Sequence, residues 1–152
     1  MSTEMTRQSK LDRKLLPLAL QAQQTETTEA EVYATLSHLM QDQENGRVLA
    51  QIAREEQEHA AFWEEHTGIR LKPNRRKVWW YVFLARLLGF TFILKLMETR
   101  EDAGAANYDR LSQVLPEASK LREAEEEHER KLLAMLDEDR LAYMTSDYAC
   151  PH

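Results

Sequence analysis

The chain is poor in the residues that many folds and metal sites require. Among its 152 residues there is one cysteine, Cys150, and there are only four glycines and four prolines. A lone cysteine excludes an intrachain disulfide and any zinc or rubredoxin site built from four cysteines. The scarcity of glycine and proline leaves long stretches without a helix breaker, and helix-forming residues dominate them. We therefore predict an all-α protein.

Basic residues are outnumbered by acidic ones, and the N-terminal residues are polar. Twenty Lys and Arg residues face 26 Asp and Glu residues, for a formal net charge of −6. Nucleic acids are usually bound through a basic face, so we expect no nucleic-acid partner. The N-terminus, MSTEMTRQSK, lacks the apolar stretch of a signal peptide, which predicts a cytoplasmic protein. The length suits a single domain over residues 1–152, with a helical core at about 9–143 and a flexible tail at 144–152.

Breakers and capping residues divide the chain into four predicted helices. The first runs from about Ser9 to Gln43, the second from Asn45 to Gly68, the third from Arg75 to Val114 and the fourth from Pro116 to about Tyr143. Gly89 is predicted to bend the third helix.

One apolar run stands out. Residues 78–97 read VWWYVFLARLLGFTFILKLM, which is long enough to span a bilayer. Arg86 and Lys95 oppose that interpretation, because each such charge costs about 2.5–3.5 kcal/mol at a bilayer centre. We expect a buried helix or a homodimer interface, and a membrane span is the weaker alternative. The apolar residues around this helix are Trp79, Trp80, Phe83, Leu84, Leu88, Phe90, Phe92 and Ile93.

A pattern of glutamate and histidine occurs twice. Glu26 is followed on the next predicted helix by Glu56-x-x-His59, and Glu98 is followed in the same way by Glu125-x-x-His128. Together the two halves supply four carboxylates and two imidazoles. Four-helix bundles use this ligand set to hold two iron or manganese ions. The pattern therefore predicts a two-metal site.

The glutamates interrupt the apolar stripe of each helix, where a carboxylate is costly unless it is paired or bound to metal. On the third helix the predicted stripe is Leu87, Thr91, Leu94, Glu98, Glu101, Ala105 and Tyr108. Runs such as EAEEEHER are usually solvated faces, and we assign Glu55, Glu58, Glu64, Glu65, Glu123, Glu126, Glu127 and Glu129 to them. His38 and His66 are expected at the surface or at a helix end. Tyr33 and Tyr108 are predicted core residues that hydrogen-bond toward the site.

At these residues the chain resembles the rubrerythrin branch of the ferritin-like superfamily. It is most similar to the ferritin-like domain at the N-terminus of membrane iron exporters related to vacuolar iron transporters, the membrane-bound ferritin type. The stretches that carry the resemblance are QQTETTEAEVY, IAREEQEHAAFW, FLARLLGFTFILKLMETRED and EEEHERKLLAMLDEDRLAY. No rubredoxin module follows, and the transporter's membrane helices are absent, so we expect a stand-alone relative or an excised domain.

The resemblance implies a ferritin-like four-helix bundle, dimeric, with two bound iron ions (manganese is the alternative). The implied metal ligands are Glu26, Glu56, His59, Glu98, Glu101, Glu125 and His128. Glu56 and Glu125 would bridge the ions, and each histidine would bind one of them. Glu101 would be an additional or switching ligand, and Glu29 is a weaker candidate.

The implied activity is oxidation of Fe(II) with O₂ or hydrogen peroxide, as a ferroxidase or a rubrerythrin-like peroxidase. Such an activity serves iron handling or defence against oxidative stress. One alternative is a non-catalytic iron-sensing or iron-delivery module for a membrane iron transporter, with membrane association through that partner or a C-terminal region. Another is a plain helical adaptor. The choices between O₂ and peroxide and between iron and manganese stay open at the level of sequence.

Overall fold

The computed structural model describes residues 14–40 and 43–148, with side chains omitted at positions 43, 94, 98–107 and 136–148. Within these residues the fold is all-α and contains no strand, which confirms the predicted class. Five helices follow one another: α1 Leu16–Leu39, α2 Gln43–Thr67, α3 Arg75–Leu88, α4 Phe90–Val114 and α5 Ala118–Tyr148. The predicted start of the first helix near Ser9, and Cys150, lie outside the described residues.

Gly89 divides the predicted third helix into two. Its φ of 94° and ψ of 163° fall in a region that is accessible almost only to glycine. The expected bend is therefore a break, and the four predicted helices become five in the described part of the chain.

Other helix boundaries differ from the predictions by a few residues. Helix α1 ends at Leu39, because Met40 is already extended. Helix α2 begins at Gln43, so Asn45 lies buried inside its first turn instead of capping it. Helix α5 continues to Tyr148, through much of the stretch predicted to be a flexible tail.

The helices pack as two antiparallel pairs. Gln23, early in α1, receives a hydrogen bond from Thr67 at the end of α2, which sets the opposite directions of the first pair. Asp109, late in α4, contacts Arg122, early in α5, at 2.6 Å. Contacts of α1 with α4 and of α2 with α5 join the two pairs, and α3 lies against α1 and α4.

A polar layer divides the apolar core into two clusters along the helices. The first cluster contains Val32, Tyr33, Leu36, Leu49, Ile52, Ala53, Tyr81, Ala85, Ile93, Met97, Leu132 and Met135. The second contains Ala19, Trp63, Tyr108, Leu111, Leu115 and Ala118. On α1, α2 and α5 the motif residues fall between the positions of the two clusters. In α4 the sequence between Met97 and Tyr108 includes Glu98 and Glu101, whose side chains lie outside the described part.

The predicted stripe of the third helix is wrong at its N-terminal end. Leu87 is 65% exposed and Thr91 is exposed, whereas Tyr81, Ala85 and Ile93 are buried. The break at Gly89 ends the continuous register on which that stripe depended. Ile93, expected at a dimer interface, lies in the core instead.

Six large apolar residues of α3 and early α4 are exposed, and we refer to them together as the outer apolar face: Trp79, Trp80, Phe83, Leu87, Leu88 and Phe92. The rings of Trp79 and Phe83 stack at 5.3 Å with an interplanar angle of 8°. None of the helices in the described ranges combines the length and apolarity that crossing a bilayer requires.

The basic connection between α2 and α3 is fastened to α1 by hydrogen bonds. Gln23 Nε2 donates to Ile69 O at 2.6 Å, and Gln24 Nε2 donates to Lys72 O at 2.8 Å. The backbone N–H of Asn74 donates to Thr28 Oγ1 at 3.0 Å. These bonds hold the connection against α1 just beyond the end of α2.

Candidate metal centre

Four of the predicted ligands converge in the polar layer. Glu26 comes from α1, Glu56 and His59 from α2, and Glu125 from α5. One nitrogen or carboxylate oxygen of each residue lies within 4.8 Å of the others, and all four residues are buried. The i, i+3 spacing of Glu56 and His59 places both on one helix face, so α2 contributes two donors to the same point. This arrangement could hold a metal ion.

His59 is paired with two carboxylates of the cluster. Its Nδ1 lies 3.0 Å from Glu125 Oε1 and 3.6 Å from Glu26 Oε2. Burial acts to lower the pKa of His59, but hydrogen bonding and attraction to Glu125 and Glu26 outweigh it and raise the pKa to about 10. Two buried carboxylates thus favour a positive charge at this position.

The pKa of Glu125 reflects its burial and the negative charge around it. Burial, followed by repulsion from Glu26, raises the pKa of Glu125 to about 7, although both histidines act against this shift. A carboxylate whose ionisation is opposed in this way is stabilised by a nearby cation.

His128 lies fully buried beside the four-residue cluster. Its Nδ1 is 2.7 Å from Glu56 Oε1 and 3.9 Å from Glu125 Oε2. Its ring faces that of His59, with centroids 5.8 Å apart and an interplanar angle of 23°. The two histidines of the tandem motif therefore lie side by side in the same layer.

Several buried polar atoms of this layer have no hydrogen-bond partner among the described residues. They are Glu26 Oε2, both carboxylate oxygens of Glu56, and His128 Nδ1. His128 Nδ1 and Glu56 Oε1 are close enough for a hydrogen bond but are not aligned for one. Leaving a buried polar atom unpaired costs about 1–3 kcal/mol, and more when it is charged. A cation between these lone pairs would satisfy them, so the residues fit a bound metal ion.

Tyr108 supports the cluster from α4. Its hydroxyl donates a hydrogen bond to Glu26 Oε1 and accepts one from Trp63 Nε1 at 3.2 Å. Burial, and then the charges of Glu26 and Glu125, raise the pKa of Tyr108 well above its usual value, which keeps the phenol protonated. The prediction that Tyr108 hydrogen-bonds toward the site is confirmed. Tyr33 is buried in the first apolar cluster.

The prediction that Glu55 belongs to a solvated helix face is wrong. Its side chain is only 32% exposed, and its Oε2 lies 2.5 Å from His128 Nε2. Burial acts to raise the pKa of Glu55, but hydrogen bonding and attraction to His128 outweigh it and lower the pKa. The i, i+4 spacing of Glu55 and His59 places Glu55 near the motif side of α2, but its contact with His128 depends on how α2 packs against α5.

The other predicted positions have mixed outcomes. Glu29 is buried but is not a member of the four-residue cluster. Glu98 and Glu101 belong to α4, and their side chains lie outside the described part, so their role stays a prediction. His66 occupies the expected helix end but is buried, with Nδ1 donating to Phe62 O at 2.9 Å. His38 is exposed, as expected.

No protein-family model, curated protein or solved structure matches this chain. The donor atoms of the site indicate which metal ions suit it. Among the described residues the donors are carboxylates and imidazoles without a thiolate, and such a set suits manganese and iron better than copper.

Proposed function

We propose that the chain is a ferritin-like di-iron carboxylate protein that binds Fe(II) and oxidises it with O₂ or hydrogen peroxide. The observation that carries the proposal is the buried cluster of Glu26, Glu56, His59 and Glu125, with unpaired donor atoms directed into one polar layer. Its members come from a tandem Glu and Glu-x-x-His pattern, which is typical of di-iron and di-manganese bundles. In this proposal α1, α2, α4 and α5 form the four-helix bundle.

The residues present can be assigned roles in such a site. Glu26, Glu56 and Glu125 would hold the two ions through carboxylate oxygens, and His59 and His128 would each bind one ion through a ring nitrogen. Glu98 and Glu101 of α4 would complete the carboxylate set. When bound, the pair of iron ions would supply the electrons that reduce the oxidant. Manganese remains the alternative metal.

The rest of the chain's contribution is positioning and exclusion of water. Tyr108 holds Glu26 through its hydroxyl, and Trp63 holds Tyr108 in turn. The apolar clusters on either side of the layer shield it from solvent. Electrostatic interactions are stronger in such an environment, because the local dielectric constant is low.

A second candidate function is a non-catalytic iron-sensing or iron-delivery module for a membrane iron transporter. The outer apolar face favours it, because exposed apolar patches of this kind usually mark an interaction surface. Turnover separates the two candidates. A sensor binds Fe(II) without sustained consumption of oxidant, whereas an oxidoreductase consumes O₂ or peroxide with each cycle.

The test is an anaerobic Fe²⁺ titration followed by exposure to O₂ and to hydrogen peroxide in separate samples. We expect about two ions per chain in the wild type, by analogy with other bundles of this type. The double variant His59→Ala, His128→Ala should lose most of this capacity, and the exposed His38→Ala variant serves as the control. Unchanged metal occupancy in the double variant would overturn the proposal.

A further inference from the structure

The two histidines of the candidate site are held differently. The ring of His128 lies between two consecutive carboxylates of α2. Its Nε2 is 2.5 Å from Glu55 Oε2, and its Nδ1 is 2.7 Å from Glu56 Oε1. His59 instead meets both of its carboxylate partners, Glu125 and Glu26, through the same atom, Nδ1.

The two ring nitrogens of His128 have different surroundings. A contact of 2.5 Å between Nε2 and Glu55 Oε2 is a short, charge-assisted hydrogen bond, in which Nε2–H donates to the carboxylate. A neutral imidazole that donates through Nε2 carries its lone pair on Nδ1. Nδ1 lies in the polar layer, 2.7 Å from Glu56 Oε1, and has no hydrogen-bond partner in the described part of the chain. His128 is thus oriented to offer Nδ1 to a cation.

Among the described side chains, His59 has no carboxylate at the position that corresponds to Glu55, and the sequence shows why. Glu55 stands four residues before His59 in the first motif, and Ala124 stands four residues before His128 in the second. The tandem motif relates these two positions, yet only one of them carries a carboxylate. The methyl group of Ala124 cannot accept a hydrogen bond from His59.

We infer that Glu55 is a positioning residue that makes the two halves of the site unequal. Its carboxylate fixes the His128 ring with Nδ1 toward the polar layer, so the metal ion at His128 binds more tightly than the ion at His59. The inference rests on the proposed function, since it presupposes two bound ions. A carboxylate behind a ligating histidine fixes the ring and increases its basicity, and its loss typically lowers metal affinity by about 10–100-fold.

Anaerobic Fe²⁺ titration of three substitutions against the wild type tests the inference. Glu55→Ala removes the acceptor, and Glu55→Gln keeps an amide oxygen that accepts from Nε2–H without a charge. Glu58→Ala is the matched control, because Glu58 is exposed on the same helix and its loss changes the net charge equally.

The wild type should show two unequal binding steps. Glu55→Ala should weaken the tighter step by about 10–100-fold and leave the weaker step unchanged. Glu55→Gln should fall between Glu55→Ala and the wild type, and Glu58→Ala should match the wild type. Glu55 is partly exposed, so we expect the variants to fold. Thermal unfolding of the metal-free variants checks this.

A second measurement reports on the ring itself. In the Zn²⁺-loaded protein, nitrogen NMR of the His128 side chain should show a protonated Nε2 and a metal-bound Nδ1. The Nε2–H resonance should shift and exchange faster with water in Glu55→Ala, whereas a purely structural change elsewhere would leave it in place.

The outcomes separate this inference from the proposed function. A wild type that binds no Fe²⁺ overturns both. A wild type that binds two ions with equal affinity, or a Glu55→Ala variant that titrates like Glu58→Ala, overturns the role of Glu55 and leaves the proposed function standing.

Discussion

The hydroxyl of Tyr108 donates a hydrogen bond to Glu26 Oε1 and thereby links α4 to α1 across the polar layer. The phenol oxygen of Tyr108 also accepts a hydrogen bond from Trp63 Nε1 on α2, so three helices meet at this side chain. Because Tyr108 lies in the second apolar cluster, the contact also joins the candidate metal centre to the apolar core beside it.

Replacing Tyr108 by Phe should lower the free energy of unfolding by about 1–3 kcal/mol, because Trp63 Nε1 loses its buried acceptor and Glu26 loses a donor. Urea unfolding of the metal-free protein measures the effect. The Trp63→Phe variant and the double variant complete a mutant cycle. If the two losses simply add, the proposed coupling between Tyr108 and Trp63 is wrong.

Removal of metal should destabilise the protein most at neutral and higher pH. Carboxylates crowded in the polar layer repel one another without cations, and a ligand that binds only the folded state stabilises it by mass action. Chelation should therefore lower the melting temperature near neutral pH and have less effect near pH 5. Equal melting temperatures with and without chelator at neutral pH would contradict metal binding.

The metal-free protein should also lose stability as pH rises. The folded pKa of His59 is about 10 against 6.5 unfolded, so its contribution is complete below 6.5 and disappears as pH approaches 10. The folded pKa of Glu125 is raised from 4.5 to about 7, which adds a loss between these values. Urea midpoints across this range should fall, and a His59→Gln variant should show a flatter curve above neutral pH.

Glu98 and Glu101 should contribute to metal binding from α4. Both stand in sequence between Met97 and Tyr108, which belong to the two apolar clusters on either side of the polar layer. Glu98→Gln and Glu101→Gln should each lower Fe²⁺ affinity in an anaerobic titration. Glu126→Gln, at an exposed position of α5, is the control. If both variants titrate like this control, α4 supplies no ligand.

Gly89→Ala should destabilise the protein through the backbone alone. A Cβ at this position would meet no atom within 4 Å, but the φ of 94° disfavours any side chain. Residues held in such regions cost about 1–3 kcal/mol. Urea unfolding tests this, and a variant as stable as the wild type would show that α3 and α4 can join without the break.

The outer apolar face should mediate homodimerisation, the commonest symmetric assembly of soluble proteins. Polar substitution of Trp80 and Phe83, for example to Ser, should weaken the dimer in sedimentation experiments more than it weakens metal binding. Leu133→Ser is a matched control, because Leu133 and Phe83 are each 41% exposed. A wild-type protein that sediments as a monomer at micromolar concentration without detergent would contradict the dimer.

Local spacing explains which parts of the site could be predicted from the sequence. Glu56 and His59 lie three residues apart on one helix, so their common direction needs only helical geometry. The all-α class and the convergence of Glu26 and Glu125 on the same layer also followed from periodicity. That these residues bind a metal ion remains a prediction, and so does the ferritin-like fold that the resemblance implies.

Features that depend on how helices rotate against one another were missed. The contact of Glu55 with His128 joins α2 to α5, and charge content alone placed Glu55 in solvent. The exposure of Leu87 follows from the break at Gly89, whose positive φ cannot be read from a glycine in an apolar run.

The arrangement in two antiparallel pairs has a consequence for the order in which the site can form. Glu26, Glu56 and His59 belong to the first pair, and Glu125 and His128 belong to the second. Each pair is built from neighbours in the chain, but the polar layer exists only after the pairs dock. A metal ion held there would be bound by residues of both pairs and would hold the pairs together. Its release would report their separation, even if each pair stayed helical.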